Sequence, residues 1–145
     1  YDTEALKVDK PLIMTPHVME FSRVSGLSVE EISKDRIGCA TSFAKAYKCV
    51  VVLKGAHTIV AGPKGELYIN QTGNQGLAQA GSGDVLTGMI TGLLARVKEP
   101  FVSACMGVWF HGYLADMMSK DHSLVTLPLE EMVTYADQFF KKFSR

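Results

Sequence analysis

Thr72-Gly73-Asn74-Gln75-Gly76-Leu77-Ala78-Gln79-Ala80-Gly81-Ser82-Gly83-Asp84 is the stretch on which the reading of this chain turns. Six of the 13 glycines (Gly73, Gly76, Gly81, Gly83, Gly88 and Gly92) fall between positions 73 and 92. After Asp84, apolar residues at Leu86, Met89, Ile90, Leu93, Leu94 and Val97 recur with helical period. A glycine-rich turn feeding a helix N-terminus makes an anion site: its backbone N–H groups are free, its glycines let a phosphate approach, and the helix dipole favours negative charge. The turn is not a P-loop, which needs Lys-Ser or Lys-Thr after its last glycine. A dinucleotide fingerprint is excluded too, because Leu86 stands where its third glycine belongs. What remains is Gly81-Ser82-Gly83-Asp84, with a carboxylate at the helix start. Beside phosphates a carboxylate is unfavourable unless it does chemistry such as activating a hydroxyl for attack on phosphorus. Alternatively Asp84 is a simple helix N-cap. Both readings stand on spacing alone.

Outward from this turn the pattern is α/β. Leu12–Met14 is a short apolar run ended by Thr15-Pro16, as expected of a buried strand. Ser28 and Glu31 have capping-box spacing, and Val29, Ile32, Arg36, Ala40, Phe43 and Tyr47 continue as one helical pattern. Val50-Val51-Val52-Leu53 has no alternation and reads as a central strand covered on both faces, with neighbours on both edges. His57–Ala61 and Glu66–Asn70 flank the hairpin punctuation Gly62-Pro63-Lys64-Gly65. The last helix is expected near Pro128, with Leu129, Met132, Val133, Ala136, Phe140 and Phe143 on one face. Helices flanking a small sheet follow, and with three or four strands the sheet looks incomplete.

The chain has 145 residues, enough for one domain. With 47% hydrophobic and 21% charged residues its composition is globular, which excludes disorder and collagen-like repeats. Fifteen basic residues balance fifteen acidic ones, so no nucleic acid or anionic membrane partner is expected. Cys39, Cys49 and Cys105 lack metal-finger spacing and read as reduced thiols of a cytoplasmic protein. Tyr1–Lys10 is polar, with no signal-peptide pattern. Pro100–Met118 is hydrophobic but carries Ser103, His111 and Asp116, and reads as a buried helix rather than a membrane span.

Gly73-Asn74-Gln75-Gly76 through Gly81-Ser82-Gly83-Asp84 closely resembles the signature of the ADP/ATP-dependent NAD(P)H-hydrate dehydratases, carbohydrate-kinase-like members of the ribokinase-like superfamily. Further matches keep the family's order: Asp2-Thr3-Glu4-Ala5-Leu6, Thr15-Pro16-His17 with Glu20-Phe21, Lys54-Gly55-Ala56-His57-Thr58, and His111-Gly112 with Ala115-Asp116. Val18-Met19 stands where many bacterial members have Pro-Gly, and Gln75 replaces a common proline. The resemblance implies a three-layer α/β/α fold, with residues 1–145 as the C-terminal half of one such domain. The N-terminal half could then reside in another chain.

By the same resemblance the substrate is the S-form of NADH or NADPH hydrated at ring carbon 6. ADP, or ATP in some members, phosphorylates that hydroxyl, and loss of phosphate restores NAD(P)H with release of AMP or ADP. Asp84 is implied as catalytic base and substrate contact, and His17 and Glu20, within the stretch to Arg23, as substrate-binding. Lys54, Gly55, Ala56, His57, Thr58, Asn74, Gly81, Ser82 and Gly83 are implied to line the nucleotide. Mg²⁺ is expected with the nucleotide, though its ligands are unidentified. A homo-oligomer and a functional link to an NAD(P)H-hydrate epimerase are also implied. Two other readings remain: a kinase of the superfamily acting on a vitamin precursor or sugar, and an inactive nucleotide-binding fragment. His57 reads as a backbone or side-chain contact, and His111 with Asp116 as a core pair or helix packing. Gly88 and Gly92 read as a site of close helix packing.

Overall fold

The computed structural model describes residues 11–143, so the match at Asp2–Leu6 lies outside the described residues. In chain order the elements are β1 (Ile13–Met14), α1 (Val18–Ser25), α2 (Val29–Lys34), α3 (Arg36–Tyr47), β2 (Val50–Leu53), β3 (Ile59–Ala61), β4 (Leu67–Ile69), α4 (Ser82–Val97), α5 (Pro100–Met118) and α6 (Met132–Lys141). The strands form one sheet in the order β1-β2-β3-β4. β1 runs parallel to β2, with Ile13 opposite Val50, while β2–β3 and β3–β4 are antiparallel. All four residues of β2 are buried, because its alternate side chains serve two cores. Val51 and Leu53 meet Phe21, Ile32, Ala40 and Phe43 of α1–α3, whereas Val50 and Val52 meet Leu86, Ile90, Ala104 and Val108 of α4 and α5. A third cluster joins α5 to α6 through Leu114, Met118, Leu127, Met132 and Tyr135. The architecture is therefore three-layered α/β/α, as expected.

Four local expectations need correction. β1, read as a buried strand, ends the sheet among the described residues, and Ile13 and Met14 are only half-buried. The periodic stretch after Ser28 is two helices, because Asp35 ends α2 in a non-helical conformation (φ −146°, ψ 72°) and its carboxylate accepts the Gly38 N–H to cap α3. The Ser28–Glu31 capping box is present as read. In α6 the buried side chains are Met132 and Tyr135; Val133 is 77% and Phe140 55% exposed, so they do not share the core face. Gly88 and Gly92 do not mark close packing, since a Cβ on either would meet nothing within 4 Å. The close α4–α5 approach is at Gly107, where a Cβ would lie 2.5 Å from Ile90 Cγ1 and 3.3 Å from Ile90 Cα. Among the described residues no helix is long and apolar enough to cross a membrane. Cys39, Cys49 and Cys105 are free, and burial pushes the Cys49 and Cys105 thiols up to about 11.

Candidate active site

Lys54 is the point where three separate stretches of sequence meet. It follows β2, its N–H donates to the Pro16 carbonyl at 2.8 Å, and it bridges His17 in parallel register. Its side chain, 25% exposed, runs from the sheet end to the first turn of α4. There a Cβ added to Gly83 would stand 3.1 Å from Nζ. The same ammonium lies 3.6 Å from Glu20 Oε2. The N-terminus of α1 fixes Glu20: His17 Nδ1 accepts the N–H groups of Met19 and Glu20, and Glu20 Oε2 accepts the His17 N–H at 2.6 Å. This reciprocal box makes His17 an N-cap as well as a candidate substrate contact. Partial burial pushes the Glu20 carboxyl up, but the His17 backbone bond and the Lys54 ammonium outweigh it and hold it below its usual value.

The α4 helix begins without a side-chain cap. Gly81 is the N-cap residue, in the left-handed region at φ 87°, where only glycine is unstrained. Its carbonyl accepts the N–H groups of Asp84 and Val85, while the Gly83 N–H finds no acceptor among the described residues. The N-cap alternative for Asp84 is therefore not what forms. Asp84 is the third helical residue; it is exposed, and its carboxylate makes no hydrogen bond or ion pair among the described residues. An unpaired helix N–H, a nearby ammonium and an uncommitted carboxylate thus surround one end of α4. Such a place can hold an anion and still offer a base.

Beside it the Lys54–Thr58 loop is tied down by Arg36, at the start of α3. Arg36 Nη1 donates to the Ala56 carbonyl at 2.9 Å and Nη2 to the Leu53 carbonyl at 3.3 Å. Gly55 (φ 148°) passes so close that a Cβ would meet Arg36 Nη2 at 3.0 Å, and Thr58 Oγ1 donates to the Gly55 carbonyl. His57 takes φ 53° and is exposed at the loop tip. The clamp could not be read from sequence, where Arg36 only continued a helical period.

The turn from Gly73 to Gly76 is held from α5. Asn74 Oδ1 accepts the Gly76 N–H at 3.0 Å, and Asn74 Nδ2 donates to Asp116 Oδ1 at 3.0 Å. Both ends of the Asn74 side chain are thus engaged within the protein. Asp116 Oδ2 also accepts the Gly73 N–H at 2.8 Å. Asp116 therefore is no partner of His111, and the core-pair reading is corrected: its partners lie 42 and 43 residues away. His111 is 6% exposed, its Nε2 has no hydrogen-bond partner, and burial pushes its pKa down to about 4. Gly112 has a specific reason to be glycine, since a Cβ would fall 2.4–2.7 Å from Thr72 Oγ1 and the Thr72 carbonyl. Among the described residues no three His, Cys, Asp or Glu gather as a metal cage.

The chain is similar to proteins of known family. The family model described as NAD(P)H-hydrate dehydratase matches residues 1–136. The bifunctional NAD(P)H-hydrate repair enzyme Nnr of Moorella thermoacetica is 46% identical over 120 residues, covering 82% of this chain and 23% of that protein. The ADP-dependent (S)-NAD(P)H-hydrate dehydratase of Bacillus subtilis is 39% identical over 137 residues, covering 94% of this chain and 50% of its own length. The crystal structure of the Bacillus subtilis ADP/ATP-dependent NAD(P)H-hydrate dehydratase, co-crystallised with ATP/Mg²⁺, superposes with a TM-score of 0.86 at 39% identity, over 92% of this chain and 48% of that one. A ribokinase-like superfamily protein of Enterococcus faecalis gives 0.70 at 28% identity. The chain thus spans about a quarter to about a half of the length of these relatives. The capless Gly81–Asp84 helix start, the Lys54 loop beside it and a family match over nearly the whole sequence agree: the chain belongs to the NAD(P)H-hydrate dehydratase family.

Proposed function

We propose that this chain carries the nucleotide turn and the base of an ADP- or ATP-dependent dehydratase acting on the S-form of hydrated NADH or NADPH. Residues 1–145 would correspond to the C-terminal half of one such domain. The observation that carries the reading is the uncommitted Asp84 carboxylate, one residue beyond Gly83 and its neighbouring Lys54 ammonium. Phosphates seat on the Gly81–Gly83 backbone and against Lys54, with the Lys54–Thr58 loop, clamped by Arg36, along the nucleotide. Asp84 takes the proton of the ring hydroxyl, whose oxygen attacks the terminal phosphorus; AMP leaves from ADP, or ADP from ATP. The phosphate ester then departs from carbon 6, pushed by the ring nitrogen's lone pair, and loss of a proton from carbon 5 restores NAD(P)H. His17 and Glu20, held by the α1 capping box, border the ring.

Mg²⁺ fits as an ion brought in on the nucleotide's phosphates, where it neutralises their charge. The chain offers it no cage among the described residues, and such ions are commonly held by phosphates with one or two carboxylates. The free thiols fit a cytoplasmic location. An epimerase that interconverts the two hydrate epimers would supply substrate. The test is to incubate the intact protein with ADP or ATP and hydrated NADH, following restored NADH by absorbance and phosphate release in parallel. One phosphate per NADH is expected. Phosphorylation of a small alcohol with no NADH restored would favour a kinase instead.

A further inference from the structure

We propose that Asp116 is a positioning residue for the nucleotide turn, acting through Asn74 on the Gly76 N–H; this rests on the turn being the nucleotide site. Asp116 sits on the hydrophobic α5, half-buried, and makes no ion pair among the described residues. A carboxylate so placed is costly unless its lone pairs are used, and the two donors it faces both belong to the turn. Oδ2 takes the Gly73 N–H, where the chain passes at φ 100°, and Oδ1 takes Asn74 Nδ2. That second bond orients the Asn74 amide, so that Oδ1 and not Nδ2 faces the Gly76 N–H. The direction of every donor in this relay is therefore set by one carboxylate on a rigid helix. Gly76 is buried against Leu127, and Gln79 Nε2 joins the Gly76 carbonyl to the Leu127 carbonyl. Fixing Gly76 thus fixes the approach to Gly81–Gly83 before any phosphate arrives, which spares the ordering cost of binding.

The relay makes a prediction that a merely structural contact does not. Asp116→Asn offers one acceptor where two donors point. If the new amide accepts from Gly73, its NH2 faces Asn74 Nδ2; if Asn74 flips to relieve this, its NH2 faces Gly76. Either way the disturbance reaches Gly76, which Asp116 does not touch. Amide-resolved hydrogen exchange on the unliganded intact protein should show Gly76 exchanging about tenfold faster or more. Titration calorimetry should show ADP bound about tenfold more weakly. The paired variant Asp116→Asn with Asn74→Asp restores every donor–acceptor match and should return Gly76 to near wild-type protection. It is read at Gly76 only, because a carboxylate at position 74 would also face the phosphates. Gly76 exchange unchanged in Asp116→Asn, or no recovery in the paired variant, overturns the proposal. So does faster exchange with ADP affinity unchanged. Should Asp116→Asn fail to fold, Asn74→Ala cuts the same relay from the turn, and wild-type protection of Gly76 there is equally fatal. If the wild-type protein binds neither ADP nor ATP, the functional reading falls while the exchange data still decide whether Asp116 governs the turn.

Discussion

Gly112→Ala adds a single methyl group where α5 touches the segment, just after β4, that becomes the nucleotide turn. The new Cβ would stand 2.4 Å from Thr72 Oγ1, 2.6 Å from the Thr72 carbonyl carbon and 2.7 Å from its oxygen. Two of these three atoms are backbone, so no rotamer change relieves them. Bringing 2.6 Å out to an ordinary contact of 3.4 Å requires α5 and the Thr72–Gly73 backbone to separate by about 0.8 Å. Overpacking of this kind costs about 1–3 kcal/mol, offset by up to ~1 kcal/mol of better helix propensity. A net loss of roughly 1–2 kcal/mol lowers the melting temperature by roughly 2–8 °C in a domain this size. The displacement also strains the 2.8 Å and 3.0 Å bonds of Asp116, one turn along the same helix, so ADP affinity should fall as well. Thermal melts and calorimetric titration on one preparation report both effects. The double variant with Thr72→Ala should recover little, because the carbonyl clash survives. A melting temperature within about 1 °C of wild type, with ADP affinity unchanged, refutes the reasoning.

Asp84→Asn should lower stability by no more than ~1 kcal/mol, the helix-dipole contribution of a first-turn carboxylate with no hydrogen-bond partner to lose, while turnover with ADP and hydrated NADH falls by about 10²–10⁴-fold. Gly92→Ala, on an exposed helical position with open space around it, should raise stability by up to ~1 kcal/mol in a denaturant melt; destabilisation would show that something covers this face. His111 carries a pKa of about 4 in the fold against 6.5 when free, so the unfolded chain binds more protons between these values. Stability should therefore be fully present above pH 6.5 and decline as pH falls toward 4, by up to about 3 kcal/mol. His111→Leu should flatten that part of a melting-temperature profile, and an unchanged slope would assign the loss to other groups.

Much of the fold was legible because its signals are local. The unbroken β-branched run of β2, the Gly62–Gly65 hairpin and the Ser28–Glu31 box each lie within a few residues, and each formed as read. The α2–α3 break escaped because Ile32, Arg36 and Ala40 keep period across Asp35; only the cap from Asp35 to Gly38, three residues on, could have hinted at it. The α6 face was misassigned because Val133 and Phe140 are apolar without being inward, and periodicity cannot say which of two apolar stripes meets the core. The glycine turn was visible as an anion site, yet what aligns it was not. Arg36 reaches 20 residues ahead to Ala56, and Asp116 reaches back to Gly73 across 43. An acidic residue in an otherwise apolar helix was the one available sign of Asp116, and it pointed to a partner without naming it.

The α5 contacts have a consequence for how this chain can vary over evolution. Gly107 admits Ile90, the Trp109 carbonyl accepts from Thr72 Oγ1, Gly112 clears the Thr72 backbone, and Asp116 holds Gly73 and Asn74. These four points are indexed to one another only by helical geometry. Inserting or deleting one residue between them would turn everything beyond it by about 100° and shift it by about 1.5 Å. The Ile90 notch and the turn could then no longer be served together. Length changes should therefore be purged from α5 and tolerated in the Gly62–Gly65 hairpin, whose connection carries no such index. The helix works as a ruler whose divisions are two glycines, one backbone carbonyl and one carboxylate, and lineages can alter the substance between the marks far more freely than their spacing.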